Sequence, residues 1–329
     1  MNRALGNFFA IMLLLVAAVQ ANAKEILFVP ASDAGLILST KDAFLTRMSP
    51  FDRAARMKTD RDATEAQFGV FAASAALDWD EHEKKAVKAA FNQVEKSIAR
   101  LLLPLPDKIY VIKSSGKEEG NAAYTRENAI VLPKDMLAYP DREIQRLLAH
   151  ELFHIFSRTH PRLVKSLYES IGFHYCGEVE FPANLALRKI TNPDAPNNDY
   201  CIKVTLGSEK VLAIPIMFSR VSKYDVSQGG EFFQYLQFAF LLVEQRMDAG
   251  TPRVLYDSRG PRLAGLQQVS GFFEQVGQNT KYIVHPEEIL ADNFALLALG
   301  VRDVSSPEVL TGMERILANA SEAGPRRGH

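Results

Sequence analysis

Two histidines set four residues apart, His150 and His154, constrain this chain more than any other feature. They lie in a segment with helical periodicity, in which Ile144, Leu147, Leu148, Ile155 and Phe156 supply the buried faces. Asp141 reads as the N-cap, Glu143 suits the positive end of the helix dipole, and Pro161 marks the end. Four residues of α-helix turn about 40° and rise about 6 Å, so both imidazoles project from one face. Nitrogens placed in this way can share a single metal ion. Glu151, roughly 100° round from His150, then stands beside the ion, where it can act as a base towards water.

A catalytic zinc usually takes three protein ligands and keeps one position for water, so a third ligand is needed. His160 follows too closely and precedes Pro161, while His174 lies in a strand-like stretch without a supporting pattern. The better candidate is in His285-Pro286-Glu287-Glu288-Ile289-Leu290-Ala291-Asp292. Pro286 fits the first turn of a helix, so Glu288 and Asp292 share a face. Glu288 can ligate the metal while Asp292 accepts the second N–H of a ligating histidine and fixes its tautomer. Glu287 has Ala291 four positions on and lacks that support. The apolar flank of Ile289, Leu290, Phe294 and Leu296 points to a largely buried helix. Glu178, Glu180 and Glu231 stay open as alternative third ligands, Glu231 foremost because it opens an apolar segment after Gly229-Gly230.

His150-Glu151-x-x-His154 followed by Glu288-Ile-Leu-Ala-Asp292 resembles the gluzincin group of zinc metallopeptidases, although the two short motifs single out no one peptidase family. The resemblance implies an α+β, zincin-like fold, with a mixed sheet whose edge strand lies over the active-site helix. It implies one Zn²⁺ per chain held by His150, His154 and Glu288, with Glu151 as general base and acid and Asp292 as orienting partner. It further implies a peptide or protein substrate paired along the edge strand, for which the strand-like run Asn121 to Leu132 is suitably placed. Such enzymes commonly place a Tyr or His at the oxyanion, and Tyr282 and His285 are the nominees. The 133 residues between His154 and Glu288 leave room for an inserted lobe.

Arg3, the apolar run Phe8 to Val19 and the small-x-small site Ala21-Asn22-Ala23 read as a signal peptide over residues 1–23, cleaved after Ala23. The run is short for a membrane span, so a secreted or periplasmic protein without stable membrane insertion is expected. With 38 basic against 39 acidic side chains, nothing in the charge balance recruits nucleic acid. Cys176 and Cys201 are expected to form a disulfide in an oxidising compartment.

Elsewhere, Asp62 with Glu65 and Asp80 with Glu83 read as capping-box helix starts. The second start leads a stripe of Val87, Phe91, Val94, Ile98 and Leu101. Lys108 to Lys113 reads as a strand, Thr191 to Asn198 as a turn-rich stretch, and Glu231 to Met247 as an interior helix. Further helices are expected from Pro286 and from Pro307 behind a Ser306 cap. The expected organisation is an N-terminal lobe over 24–160 carrying the active-site helix, a mainly helical C-terminal lobe over 161–323 with the inserted segment and third-ligand helix, and a tail over 324–329. Residues 24–60 also suit a removable pro-segment. The functional expectation is an exported zinc-dependent peptidase; the alternative is a non-catalytic zinc-containing binding or assembly protein. Glu151 favours the enzyme, since a structural site has no use for a general base.

Overall fold

The computed structural model describes residues 24–101, 103–245 and 250–322. The expected signal peptide and the 324–329 tail lie outside them. The first half is built on a sheet ordered β1 (Glu25–Phe28), β3 (Lys108–Ser114), β5 (Ala129–Pro133), β4 (Tyr124–Arg126), with β2 (Ala76–Leu77) also on β3. β1, β3 and β5 run parallel, and β4 is antiparallel to β5. Because side chains alternate across a strand, each strand feeds two cores. Ile109, Val111, Ile130 and Leu132 join the core beneath α5 (Glu81–Ile98) and α6 (Asp141–Thr159). Tyr110, Ile112, Ala129 and Val131 face the other core, shared with α1 (Ala31–Leu38), α2 (Ala43–Arg47) and α4 (Glu65–Ala73). The parallel strands are thus covered on both faces.

The sequence between Asn121 and Leu132 makes two strands instead of one. The chain reverses at Glu127 and Asn128, and Glu127 takes a left-handed φ of 53°. Without glycine in the turn, the hairpin carries no strong sequence signal. The reversal leaves β4 as the edge of the sheet. Segment 24–60 belongs to the fold: β1 completes the sheet, and α3 (Pro50–Arg56) buries Phe51 and Ala55 against Ile190 and Phe232.

Helix starts follow capping chemistry, with two shifts from the sequence reading. Asp80 and Glu83 form the reciprocal box at the head of α5. At α4 the cap is Thr64 with Gln67, not Asp62 with Glu65, and at α6 Pro140 precedes Asp141, which is already the first helical residue. Leu148, Leu152, Phe153 and Phe156 of α6 are fully enclosed, and each such side chain contributes about 1.5–3 kcal/mol of burial.

The second half corrects the expected mainly helical lobe. It contains a seven-stranded antiparallel sheet ordered β10 (Arg253–Val254), β9 (Leu236–Glu244), β8 (Glu209–Ser219), β7 (Tyr200–Leu206), β14 (Val269–Ser270). β6 (Phe173–Tyr175) joins β7, β13 (Leu263–Ala264) joins β9, and β11 (Tyr256–Asp257) pairs with β12 (Gly260–Pro261) outside it. Of the segment expected to be an interior helix from Glu231, Phe232–Tyr235 is a single 3-10 turn and Leu236–Glu244 is β9, paired with β8 from Leu236 with Ser219 to Val243 with Leu212. An apolar run of this length suits a buried helix or a buried strand equally, and the partner strand decided between them. Helices remain where they carry function or close the core: α7 (Pro161–Ser170), α8 (Ala183–Ala186), α9 (Phe273–Val276), α10 (Pro286–Ala298) and α11 (Pro307–Glu322). The largest buried cluster joins both halves, from Ile26 and Phe91 through Phe153 and Phe240 to Phe294 and Leu317. Cys176 and Cys201 form the expected disulfide beside the β6–β7 pair, at a Cα separation of 5.9 Å. Among the described residues, no helix is long and apolar enough to cross a membrane.

Candidate metal centre

Helix α10 packs along α6, and their contact brings together the side chains separated by 133 positions in sequence. The rings of His150 and His154 stand edge to face at 4.8 Å, as their spacing on one helix dictates. Glu288 Oε2 lies 3.1 Å from His150 Nε2 and 3.7 Å from His154 Nε2. One atom from each of the three fits within 4.8 Å of the others. Two metal bonds of about 2.1 Å meeting at a tetrahedral angle put their donors roughly 3.4 Å apart, so the spacing suits one shared cation. His154 Nε2 is buried and has no hydrogen-bond partner, which is costly for a polar atom unless something is bound there. The three residues therefore form a group able to hold a metal ion.

No protein-family model, curated protein or solved structure matches this chain.

Each imidazole is oriented by its own carboxylate. His150 Nδ1 meets Asp292 Oδ1 at 3.1 Å, as the sequence spacing anticipated, and Thr280 Oγ1 donates to the other oxygen of Asp292. His154 Nδ1 meets Glu287 Oε1 at 2.8 Å, which the sequence reading missed. Support for Glu287 comes from other helices: Ser157 of α6 donates to it at 2.5 Å, and the Tyr168 hydroxyl of α7 donates to its second oxygen. Burial by itself lowers the pKa of each histidine. At His150 the hydrogen bonds to Asp292 and Glu288 outweigh burial and raise it well above the usual imidazole value. At His154 the charges of Asp194 and Glu288, with the Glu287 bond, raise it to about 9. Burial raises Glu288, but the two histidines and Asn192 pull it down to about 2. Arg146 and Arg158 reach Asp292 and Asp194, leaving Glu151, Glu287 and Glu288 facing the two imidazoles.

Glu151 is 2 % exposed and points to β4, where Thr125 Oγ1 donates to its Oε2 at 2.7 Å. Burial, and then the nearby charge of Asp194, push its carboxyl pKa upwards. A carboxyl shifted in this direction is suited to exchanging protons near neutrality. Tyr282 is 41 % exposed as a residue. Its hydroxyl is raised well above the ordinary phenol value by burial and then by the charges of Glu288 and Asp194, so it stays protonated. His285 accepts at Nδ1 from Glu287 N at 3.1 Å, making it the N-cap of α10; its ring lies edge-on to Tyr168, and its Nε2 is buried without a hydrogen-bond partner. Of the alternative ligands, Glu231 pairs with Lys58 at 2.5 Å and Glu178 accepts from the backbone of Asn198 at 3.1 Å, both away from the histidines. Glu180 and the remaining candidate His174 are exposed.

The turn-rich stretch supplies groups that the sequence did not nominate. Asn192 Nδ2 donates to Glu288 Oε1 at 2.5 Å. Asp194 places a carboxylate oxygen within 4.8 Å of Glu151 and His154. The start of this stretch is held by α3: Ser49 Oγ donates to Lys189 O at 2.6 Å, Asp52 Oδ2 accepts from Thr191 N at 2.8 Å, and Arg56 donates to Thr191 O at 2.9 Å. Arg56 is itself fully buried between Asp52 and Glu119. Sequence offered one faint signal, the clustering of Asn and Asp in a segment bracketed by Cys176 and Cys201.

Proposed function

We propose that this protein is an exported zinc-dependent peptidase. The observation that carries the reading is the buried, unpartnered His154 Nε2 turned towards Glu288 Oε2, with His150 and the acid Glu151 alongside. His150, His154 and Glu288 would hold the ion, two nitrogens and one oxygen being a common catalytic donor set for zinc. When bound, zinc supplies a Lewis acid for the scissile carbonyl and acidifies the water it carries. Glu151 receives the proton that the attacking water sheds and returns it to the departing amine, so the base of the first step is the acid of the second. Tyr282 donates its phenolic proton in a hydrogen bond to the oxygen on which charge develops. Glu287 and Asp292 fix the tautomers by accepting from the far ring nitrogens, keeping Nε2 of each histidine as the donor to the ion. The edge strand β4 supports an extended peptide as substrate, since strand addition supplies backbone pairing whatever the side chains. Export is supported by the Cys176–Cys201 bond, of a kind that persists in oxidising compartments.

Glu151→Gln tests the reading directly. The variant keeps close to one zinc per chain, measured after dialysis, and loses peptide hydrolysis by a factor of at least about 10³. Unchanged hydrolysis would remove Glu151 from its role. Asp194 favours a second reading, a non-catalytic zinc-containing binding or assembly protein, because a fourth donor close to His154 is what a closed, structural site has. Under that reading no peptide is cut by the wild type, and zinc removal unfolds the domain.

A further inference from the structure

The outward edge of β4 is already occupied. In a three-residue strand paired to β5 on one side, Thr125 is the residue that turns its backbone N–H and C=O away from the sheet. Its N–H donates to Asp194 Oδ1 at 2.8 Å, and its C=O accepts from Arg158 at 3.0 Å. Arg158 closes the contact by donating to Pro193 O and to Asp194 Oδ1, each at 3.4 Å. A peptide added to this edge would make the same two bonds, with its own carbonyl where the Asp194 carboxylate now lies. The same carboxylate reaches inwards to Glu151 and His154, where a substrate carbonyl and its attacking water would have to fit. His154 Nε2, buried and without a partner, looks into this crowded space.

We propose that the 192–198 turn is an internal occupant of the substrate site, that Asp194 stands in for a substrate carbonyl on Thr125, and that the folded protein is latent until this turn leaves β4. The inference rests on the peptidase reading for what replaces the turn, an extended peptide, but not for the closure itself. The anchoring pattern fits a strap fastened at its ends. Before the turn, Lys189 and Thr191 are fixed to α3 by Ser49, Asp52 and Arg56. After it, Asn198 N is held by Glu178 and Cys201 by the disulfide. Between these points the turn is tied to the site by the side chains of Asn192 and Asp194 and by three long 3.4 Å contacts, from Arg158 to Pro193 O and Asp194 Oδ1 and from Lys189 to Pro196 O. Opening the middle therefore breaks few bonds and leaves the ends in place.

The test uses the zinc-loaded chain from Lys24 onwards. Asp194→Ala is expected to raise kcat/KM on a quenched fluorogenic peptide about ten-fold, chiefly through KM, the ratio expected for losing one charge-assisted hydrogen bond. It should also speed zinc release to a coloured chelator by a similar factor, because the ion becomes accessible. In the unaltered protein, a peptide hydroxamate should accelerate amide exchange over residues 192–198 while Thr125 stays protected; this measurement needs no variant to fold. If Asp194→Ala cleaves no faster than wild type and releases zinc at the wild-type rate, or if 192–198 stays protected with hydroxamate bound, the latency is overturned. If neither protein cleaves any peptide but hydroxamate still accelerates exchange over residues 192–198, the closure stands and the peptidase reading falls.

Discussion

The two sides of the histidine pair are built differently. His150 is on the wetter side: its side chain is 15 % exposed, and its partner Asp292 is reached by Arg146 and held by Thr280 from a nearby loop. His154 is on the dry side, with no exposure, and its partner Glu287 is equally buried and shared with Ser157 and Tyr168. One imidazole is thus steered by groups that water can replace, the other by a network that is almost wholly buried. Charge and hydrogen bonds weigh more where solvent does not compete for them. The dry side should therefore set both the stability of the site and its hold on the metal.

The largest expected difference is in stability. His154→Ala and His150→Ala both abolish stoichiometric zinc, but in the metal-free chains only the first should cost about 3–5 kcal/mol, because it leaves Glu287 buried beside a void. His150→Ala should cost about 1 kcal/mol, since Asp292 keeps Thr280, Arg146 and water. Urea unfolding of the two variants measures the gap, and equal midpoints would break the comparison.

Affinity comes next. Glu287→Gln should weaken zinc binding about 100-fold and Asp292→Asn about 10-fold, the two ends of the range for groups that orient a ligating histidine. Competition with a chelator of known affinity gives both values, and a reversed order would place the dominant support on the wet side.

A pH dependence sharpens the picture further. Burial depresses His285 to about 4, and as the α10 cap it must stay neutral at Nδ1. Below about pH 6.5 the unfolded chain takes up a proton at this residue that the folded one resists, so the stability that His285 contributes is lost as pH falls. The loss between pH 7 and pH 5 is about 2 kcal/mol. His285→Asn keeps a capping oxygen without titrating there, so its urea midpoint should fall less over the same interval. The smallest effect belongs to Asn192→Ala, which removes the amide from Glu288 Oε1 and should lower zinc affinity about five-fold. A loss as large as that of Glu287→Gln would show that the turn, not the dry helix pair, dominates.

Local chemistry made one part of the site legible in advance. The four-residue spacings of His150 with His154 and of Glu288 with Asp292 are fixed by helix geometry, and the contact of His150 with Asp292 followed from them. The same reasoning passed over Glu287, because its partners Ser157 and Tyr168 belong to α6 and α7 and share no period with it. Glu231 drew attention for opening an apolar run, but that run is β9, and Glu231 lies at the surface with Lys58. Tyr282 and His285 were nominated from proximity in sequence, and both lie within the field of Glu288, while Nδ1 of His285 also caps the backbone of α10.

By itself the amino-acid order determined which residues could face one another along a single helix, where several helices begin, and that two cysteines would pair. Tertiary structure decided whether an apolar run became helix or strand, that Glu287 would turn to His154, and that a polar turn would lie across the edge of β4. The division is physical. Periodicity and capping act over a few residues and are written in the chain, while burial, strand partnership and the company a carboxylate keeps are set by segments from tens to more than a hundred positions away.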